Sequence, residues 1–257
     1  MRRLHYRSFY SFIGLTALLL LSACASSNNT SDVYDPFEGS NRVVFAVNDA
    51  FDKALAKPVA QTYRVVLPEP ARVGVRNVLR NLASPTNIAN QLLQGDIGGA
   101  GNDVGRAVIN TTLGVGGIFD VAGEMGLEYE PEDFGQTMGV WGIPPGPYFV
   151  VPVFGPSNLR DSTGRVVDFF ADPLEIYLDN TNQEEWIYIR IGVYAVSQRE
   201  GLLDVLDTLR DSSIDYYAVL RSSHHQHREA LIRDQESGAG MATIPDFDEF
   251  DDFYDEF

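Results

Sequence analysis

Residues 135–164 read GQTMGVWGIPPGPYFVVPVFGPSNLRDSTG, and from Gln136 to Leu159 there is no charged side chain over 24 positions. A helix of that length would reach across a bilayer core. One straight helix is ruled out, because Gly139, Gly142, Gly146 and Gly155 alternate with Pro144, Pro145, Pro147, Pro152 and Pro156. Each internal proline removes a helical N–H and collides with the carbonyl one turn back. In lipid, backbone broken in this way persists only where protein or a water-filled cavity satisfies its freed groups. The expected arrangement is two short apolar arms around a turn at Ile143-Pro144-Pro145-Gly146. A Pro/Gly-rich buried loop of a soluble protein has the same composition, and the N-terminus separates the two readings.

Residues 1–23 carry Arg2, Arg3 and Arg7, then an apolar run from Phe9 to Leu21. Its length suits a secretory signal rather than a spanning helix. It ends in Leu21-Ser22-Ala23-Cys24, the pattern of a bacterial lipobox, and Cys24 is the single cysteine of the chain. The expectation is acylation at Cys24, a covalent N-terminal lipid that anchors stably when several chains are attached. With one cysteine, neither an internal disulfide nor a Cys-based metal site can form. Ala25, where an Asp is absent, resembles the outer-membrane sorting default.

The formal net charge is −17 over 257 residues. A chain this acidic lacks the basic footprint that nucleic-acid binding requires. Membrane attachment must then be apolar or covalent. The expected organisation is a signal peptide (1–23), a lipidated polar tether (24–34), a helical domain (35–235) and a disordered acidic and aromatic tail (236–257). The tail ends in DFDEFDDFYDEF; such segments fold on a partner or a surface rather than alone.

Between tether and tail, helical patterns dominate. Val44, Phe45, Val47 and Phe51 share a face after Asn41. Pro68 and Pro70 open a helix, and Ser84-Pro85 predicts a fresh helix start. Arg72, Arg76 and Arg80 form a basic stripe that reads as a solvated face. The glycines from Gly95 to Gly117 lack the dinucleotide-binding spacing and suit close packing or bends. Thr181 to Glu184 predicts a capping box, and Ser212 with Asp215 a further cap. His224, His225 and His227 lack supporting acids for a metal and read as a solvated helix surface. A hydrolase would need a nucleophile and base; there is no G-x-S-x-G elbow and no spare cysteine. No catalytic or metal-ligating residue is assigned.

Several blocks in order then carry a resemblance: DPFEGSNR (35–42), LPEPARVGVRNVLRNL (67–82), NQLLQGD (90–96), NTTLGVGGIFDVA (110–122), EDFGQTMGVWGIPPGPYFVVPVFGPSNLRD (132–161) and DPLEIY (172–177). From about Asp35 to about Arg228 the chain resembles the VacJ/MlaA family of outer-membrane lipoproteins. The resemblance implies a mainly α, compact, ring-like domain embedded from the periplasmic leaflet of the outer membrane of a Gram-negative bacterium. It implies a central amphipathic channel, association with a porin trimer, and non-enzymatic removal of glycerophospholipid from the outer leaflet. The lipid would pass to a soluble periplasmic carrier. A structural porin-associated module without transport is the other expectation. The family's mobile hairpin corresponds to the Gly/Pro stretch, with hinges at Gly139, Gly142 and Gly146; Pro144 departs from relatives that have glycine there and stiffens the hinge. The motif residues are Asp35, Pro36, Glu38, Asn41, Arg42, Arg160 and Asp161, with Arg42 and Arg160 expected to pair with Glu38 or Asp161 rather than with lipid.

Overall fold

The computed structural model describes residues 33–237. The signal segment, Cys24 and the acidic tail lie outside the described residues. The described chain is mainly helical. It opens with α1 (Glu38–Phe51), which continues through a π-helical segment (Asp52–Ala56) into α2 (Lys57–Val66). Val43, Val47, Phe51, Leu55 and Val59 are exposed and recur every four residues. Such a repeat drifts around an α-helix of 3.6 residues per turn; the wider π turn reduces that drift and keeps the apolar stripe on one side.

The long α3 (Glu69–Gln94) packs along α4 (Ile97–Thr112). No helix starts at Ser84: Pro85 lies inside α3. It sits on the exposed face, while the opposite face is held by α4 and by α6 (Phe134–Val140). That packing offsets a proline penalty of about 3 kcal/mol. After the short α5 (Val121–Glu124) and α6 come β1 (Tyr148–Val151), β2 (Gly155–Asn158), α7 (Leu159–Ala171), α8 (Pro173–Asn180), α9 (Glu184–Gly201), α10 (Leu203–Ser212) and α11 (Tyr216–Ser237).

Aspartate and asparagine set many of the boundaries. Asp96, Asp120, Asp133, Asn158 and Asp172 each accept a backbone N–H in the first turn of α4, α5, α6, α7 and α8, satisfying donors the helix leaves open. Three of these aspartates also hold an arginine: Asp120 with Arg106, Asp133 with Arg228, and Asp172 with Arg190. The expected capping box at Thr181 does not form. Thr181 Oγ1 donates to the Tyr177 carbonyl at 2.8 Å, finishing α8 instead. Asp215 caps α11 through the Ala218 N–H (3.2 Å), while the Ser212 hydroxyl donates back to Thr208.

Packing closes a circuit. α1 meets β1, β1 pairs with β2, β2 meets α11, α11 meets α6, α6 meets α3, α3 meets α9, and α9 meets α2, which returns through the π segment to α1.

Candidate functional site

Burial is inverted. Among the described residues 21 buried side chains are polar or charged and 11 are hydrophobic, while 36 large hydrophobic side chains are exposed. A water-soluble fold buries its large aliphatics and keeps contiguous exposed apolar patches small. On α3, Leu82, Leu92 and Leu93 face out, and Ser84, Asn87, Asn90 and Gln91 face in. α4 repeats the pattern, with Val104 and Val108 outside and Asp103, Arg106 and Asn110 inside. The amphipathic spacing was readable in sequence, but its direction was not.

The inward polar groups are tied together. Asn90 donates to Asp168 at 3.0 Å and accepts from Thr137 at 2.9 Å, and Gln94 donates to Glu132 at 2.7 Å. Arg72 meets the buried Glu200, which also binds Arg64 at 2.8 Å. The basic stripe on α3 is therefore half-buried and not a solvated face. Burial pushes the Asp103 carboxyl up to about 7, with Arg106 partly offsetting it.

The uncharged stretch divides into three pieces. Gln136 to Val140 belongs to α6, Trp141 to Pro147 is irregular, and β1 and β2 form an antiparallel pair with Val151 opposite Gly155. The hairpin turn therefore falls at Pro152-Val153-Phe154 and not at Ile143-Pro144-Pro145-Gly146. The Pro-rich segment 143–147 cannot supply ladder donors at three of its positions, so pairing begins beyond it. Val153 and Phe154 stand at the tip, 65% and 73% exposed. Gly142 and Gly146 adopt positive φ (83° and 70°), and Pro144 lies between them, exposed. Gly139 differs: it lies inside α6, where a Cβ would sit 2.6 Å from Ile232 Cδ1 and 3.2 Å from Arg160 Nη1.

Arg160 anchors the irregular segment. Its backbone N–H donates to the Pro145 carbonyl (3.2 Å) and its Nη1 to the Ile143 carbonyl (3.4 Å). Its Nε meets Asp161 at 3.1 Å, with both side chains buried. Asp161 also lies 3.0 Å from Arg228 Nε, and Arg228 forks onto Asp133 at 2.6 and 2.8 Å. Burial alone would raise the Asp133 carboxyl, but the Arg228 hydrogen bonds hold it below its ordinary value.

The DPFEGSNR residues build a second hub. Asp35 is fully buried and accepts from Asn41 (2.8 Å), Arg221 (2.8 Å) and the Tyr217 hydroxyl. Pro36 is half-buried between Asp35 and α1. Asn41 donates to the Tyr148 carbonyl (3.2 Å) and accepts from Val150 N–H (3.0 Å). Two helical turns on, Asn48 donates to the Val151 carbonyl (2.9 Å) and accepts from Val153 N–H (2.8 Å). Two asparagines on α1 thus take the place of a neighbouring strand along the edge of β1, which would otherwise lie unpaired. Arg42 holds Glu38 at 2.9 Å and Asp215 at 2.6 Å at a half-exposed position.

Sequence reasoning missed Asn48 and the inner face of α11. Tyr217, Arg221, His224 and Arg228 are spaced four, three and four residues apart, the signature of one helix face. His224 lies against the Tyr148 ring (centroids 6.4 Å apart) and burial pulls it down to about 4, so it is not on a solvated surface. No group of three or more His, Cys, Asp or Glu suited to a metal ion occurs among the described residues.

These features define a class: a helical protein that bonds its polar groups to one another inside and turns apolar side chains outward. The chain belongs to the MlaA lipoprotein family, whose sequence model matches residues 33–231. It is 32% identical over 250 residues to the intermembrane phospholipid transport system lipoprotein MlaA of Escherichia coli K12, covering 94% of this chain and 97% of that one. The protein of the same name from Haemophilus influenzae is 29% identical, covering 90% and 95%. An uncharacterized protein of Rickettsia felis is 37% identical over 212 residues, covering 81% and 82%. A solved structure from work on the structural basis for maintenance of bacterial outer membrane lipid asymmetry superposes with a TM-score of 0.68 at 34% identity, covering 77% of this chain and 98% of that one.

Proposed function

We propose that this chain is a non-enzymatic phospholipid-transport lipoprotein of the outer membrane. Acylated at Cys24 and seated in the periplasmic leaflet, it takes glycerophospholipid from the outer leaflet and passes it to a soluble periplasmic carrier, beside a porin trimer. The observation that carries this reading is the inverted burial. Exposed apolar faces on α1, α3 and α4 suit acyl chains, and the inward polar seams offer a headgroup partners it loses on leaving water.

Two further features support a body sunk into one leaflet around a lipid path. No described helix is long and apolar enough to cross a membrane. On α9, Trp186, Tyr188, Ile189, Ile191, Val193 and Tyr194 are all exposed. At 100° per residue they point to every side of the helix. Along this half only Ile187 and Arg190 are half-buried, Arg190 through Asp172 and Glu175; the remaining sides suit a wall with lipid on one side and a lipid path on the other. The segment from Trp141 to Pro147, with Gly142 and Gly146 as its flexible points, moves beside that path and Arg160 holds its far end.

The test is glycerophospholipid in the outer leaflet of cells lacking the gene. Accumulation, reversed by the normal chain and poorly by Cys24→Ala, is expected. Unchanged lipid, with the protein still in the outer membrane, would leave only a structural role beside the porin.

A further inference from the structure

We propose that Trp141 latches the loop from Trp141 to Pro147, and that its indole N–H lets go of α3 when a lipid passes; this rests on the transport reading. Trp141 ends α6. Gly142 follows at φ 83°. Its N–H donates to the Gly139 carbonyl at 2.8 Å, and the Ile143 N–H donates to the Met138 carbonyl at 2.9 Å. Two such bonds around a left-handed glycine make a Schellman cap. The cap fixes where the loop starts, and the Trp141 side chain reaches from there to α3.

The bond it makes there completes the end of α3. The last carbonyls of a helix have no partner within it. The Gly95 and Asp96 N–H groups take up the Leu92 and Gln91 carbonyls, and Trp141 Nε1 donates to the Leu93 carbonyl at 3.0 Å. The negative end of the helix dipole favours a donor at this place. The indole also meets the Phe134 ring edge-on, with centroids 5.6 Å apart.

The two ends of the loop are held unequally. At the far end the buried Arg160 donates to the Pro145 and Ile143 carbonyls and is itself fixed by Asp161. Gly146 lies against α7, where a Cβ would stand 3.2 Å from Leu159 Cβ. At the near end a neutral hydrogen bond from a half-exposed tryptophan joins the loop to α3. A neutral hydrogen bond holds less strongly than one from a charged group. The Trp141 end therefore opens first, and the loop swings about Pro145-Gly146, with Gly142 free to follow. Release does not strand the indole N–H, because the ester and phosphate oxygens of a glycerophospholipid accept it. Leu92, Leu93 and Ile143 are exposed beside it, a setting for acyl chains. An apolar ring with one donor suits that boundary.

The experiment compares Trp141→Phe and Trp141→His with the normal full-length chain. Phenylalanine keeps a ring against Phe134 and has no donor, whereas histidine places a ring N–H, at Nε2, where the indole N–H stood. Hydrogen exchange reads the opening through the amides of Gly142 and Ile143. In Trp141→Phe they should exchange about threefold to tenfold faster, the value of one net hydrogen bond, with the Asn90 amide in α3 unchanged. Trp141→His should restore the normal rate. Transfer of labelled glycerophospholipid from vesicles to the soluble periplasmic proteins should quicken by a similar factor in Trp141→Phe and return to normal in Trp141→His. Three results each overturn the proposal: unchanged exchange in Trp141→Phe, faster exchange that Trp141→His does not restore, or faster exchange with unchanged transfer. The two readings fail separately. The expected exchange pattern, in a chain that transfers no label even in its normal form, would sink the transport reading and leave Trp141 holding the loop. Unchanged exchange in Trp141→Phe, beside a normal chain that does transfer label, would sink the latch alone.

Discussion

Gly164 of α7 lies directly on Gly135 of α6: a Cβ on Gly164 would sit 2.6 Å from the Gly135 Cα. The two glycines bracket the uncharged stretch, and their contact brings its ends together so that everything between them projects as one loop and hairpin.

Gly164→Ala therefore has no room without parting the two helices. Overpacking of this kind costs about 1–3 kcal/mol. Thermal unfolding should show the loss. Gly101→Ala, in α4 with nothing within 4 Å of its Cβ, is the control and should be neutral or stabilising by up to about 1 kcal/mol. Equal melting temperatures for the two variants would dismiss the contact.

Asp35→Ala leaves Arg221 buried beside an empty place, and stranding one partner of a buried pair costs about 3–5 kcal/mol. Arg42→Gln breaks a half-exposed pair with Asp215, worth about 1 kcal/mol or less. Denaturant unfolding should separate them in that order. The Arg221→Met, Asp35→Asn double variant should recover part of the loss.

Asp103 gives a pH dependence of known sign. Its carboxyl is raised to about 7 in the folded chain, against roughly 3.9 unfolded. Between these values the folded state binds the extra proton, so this group's contribution to stability falls as pH rises from about 4 through 7. Asp103→Asn should match the normal chain near pH 4 and exceed it above pH 7. His224, lowered to about 4, acts oppositely, losing stability as pH falls below roughly 6.5. The difference between Asp103→Asn and the normal chain isolates the carboxyl; a difference independent of pH would contradict the assignment.

Gly142 has φ of 83°, which proline, fixed near −65°, cannot adopt. Under the proposed transport function, Gly142→Pro should impair lipid transport while leaving the protein's location unchanged. Gly139→Pro should instead lower stability, because Gly139 lies inside α6 against Ile232. Normal transport by Gly142→Pro would show that the loop has no part in movement.

Much of this architecture was legible in the residues. Periodicity gave the helices, and the prolines and glycines of residues 135–164 announced a broken segment. Three things were hidden. The turn fell at Val153, a β-branched residue at φ 70°, with Gly155 at φ 82° closing it; the denser Pro/Gly cluster at 143–146 masked that signal, and Asn48 supplies the missing strand contacts that hold the turn. Pro85 reads the same inside a helix as at its first turn, and only the packing of α3 decides. The inversion of burial was hidden because an amphipathic spacing carries no sign: Leu82 and Asn90 alternate identically whether water or lipid lies outside.

The most direct measurement of the proposed function reconstitutes the full-length chain in vesicles carrying a labelled glycerophospholipid, adds the soluble periplasmic proteins of the same cells, and follows the label. Intact labelled lipid should appear on those proteins, without released fatty acid, and only when the chain is present. Transfer unaffected by the chain, or label recovered as free fatty acid, would contradict a non-enzymatic transporter.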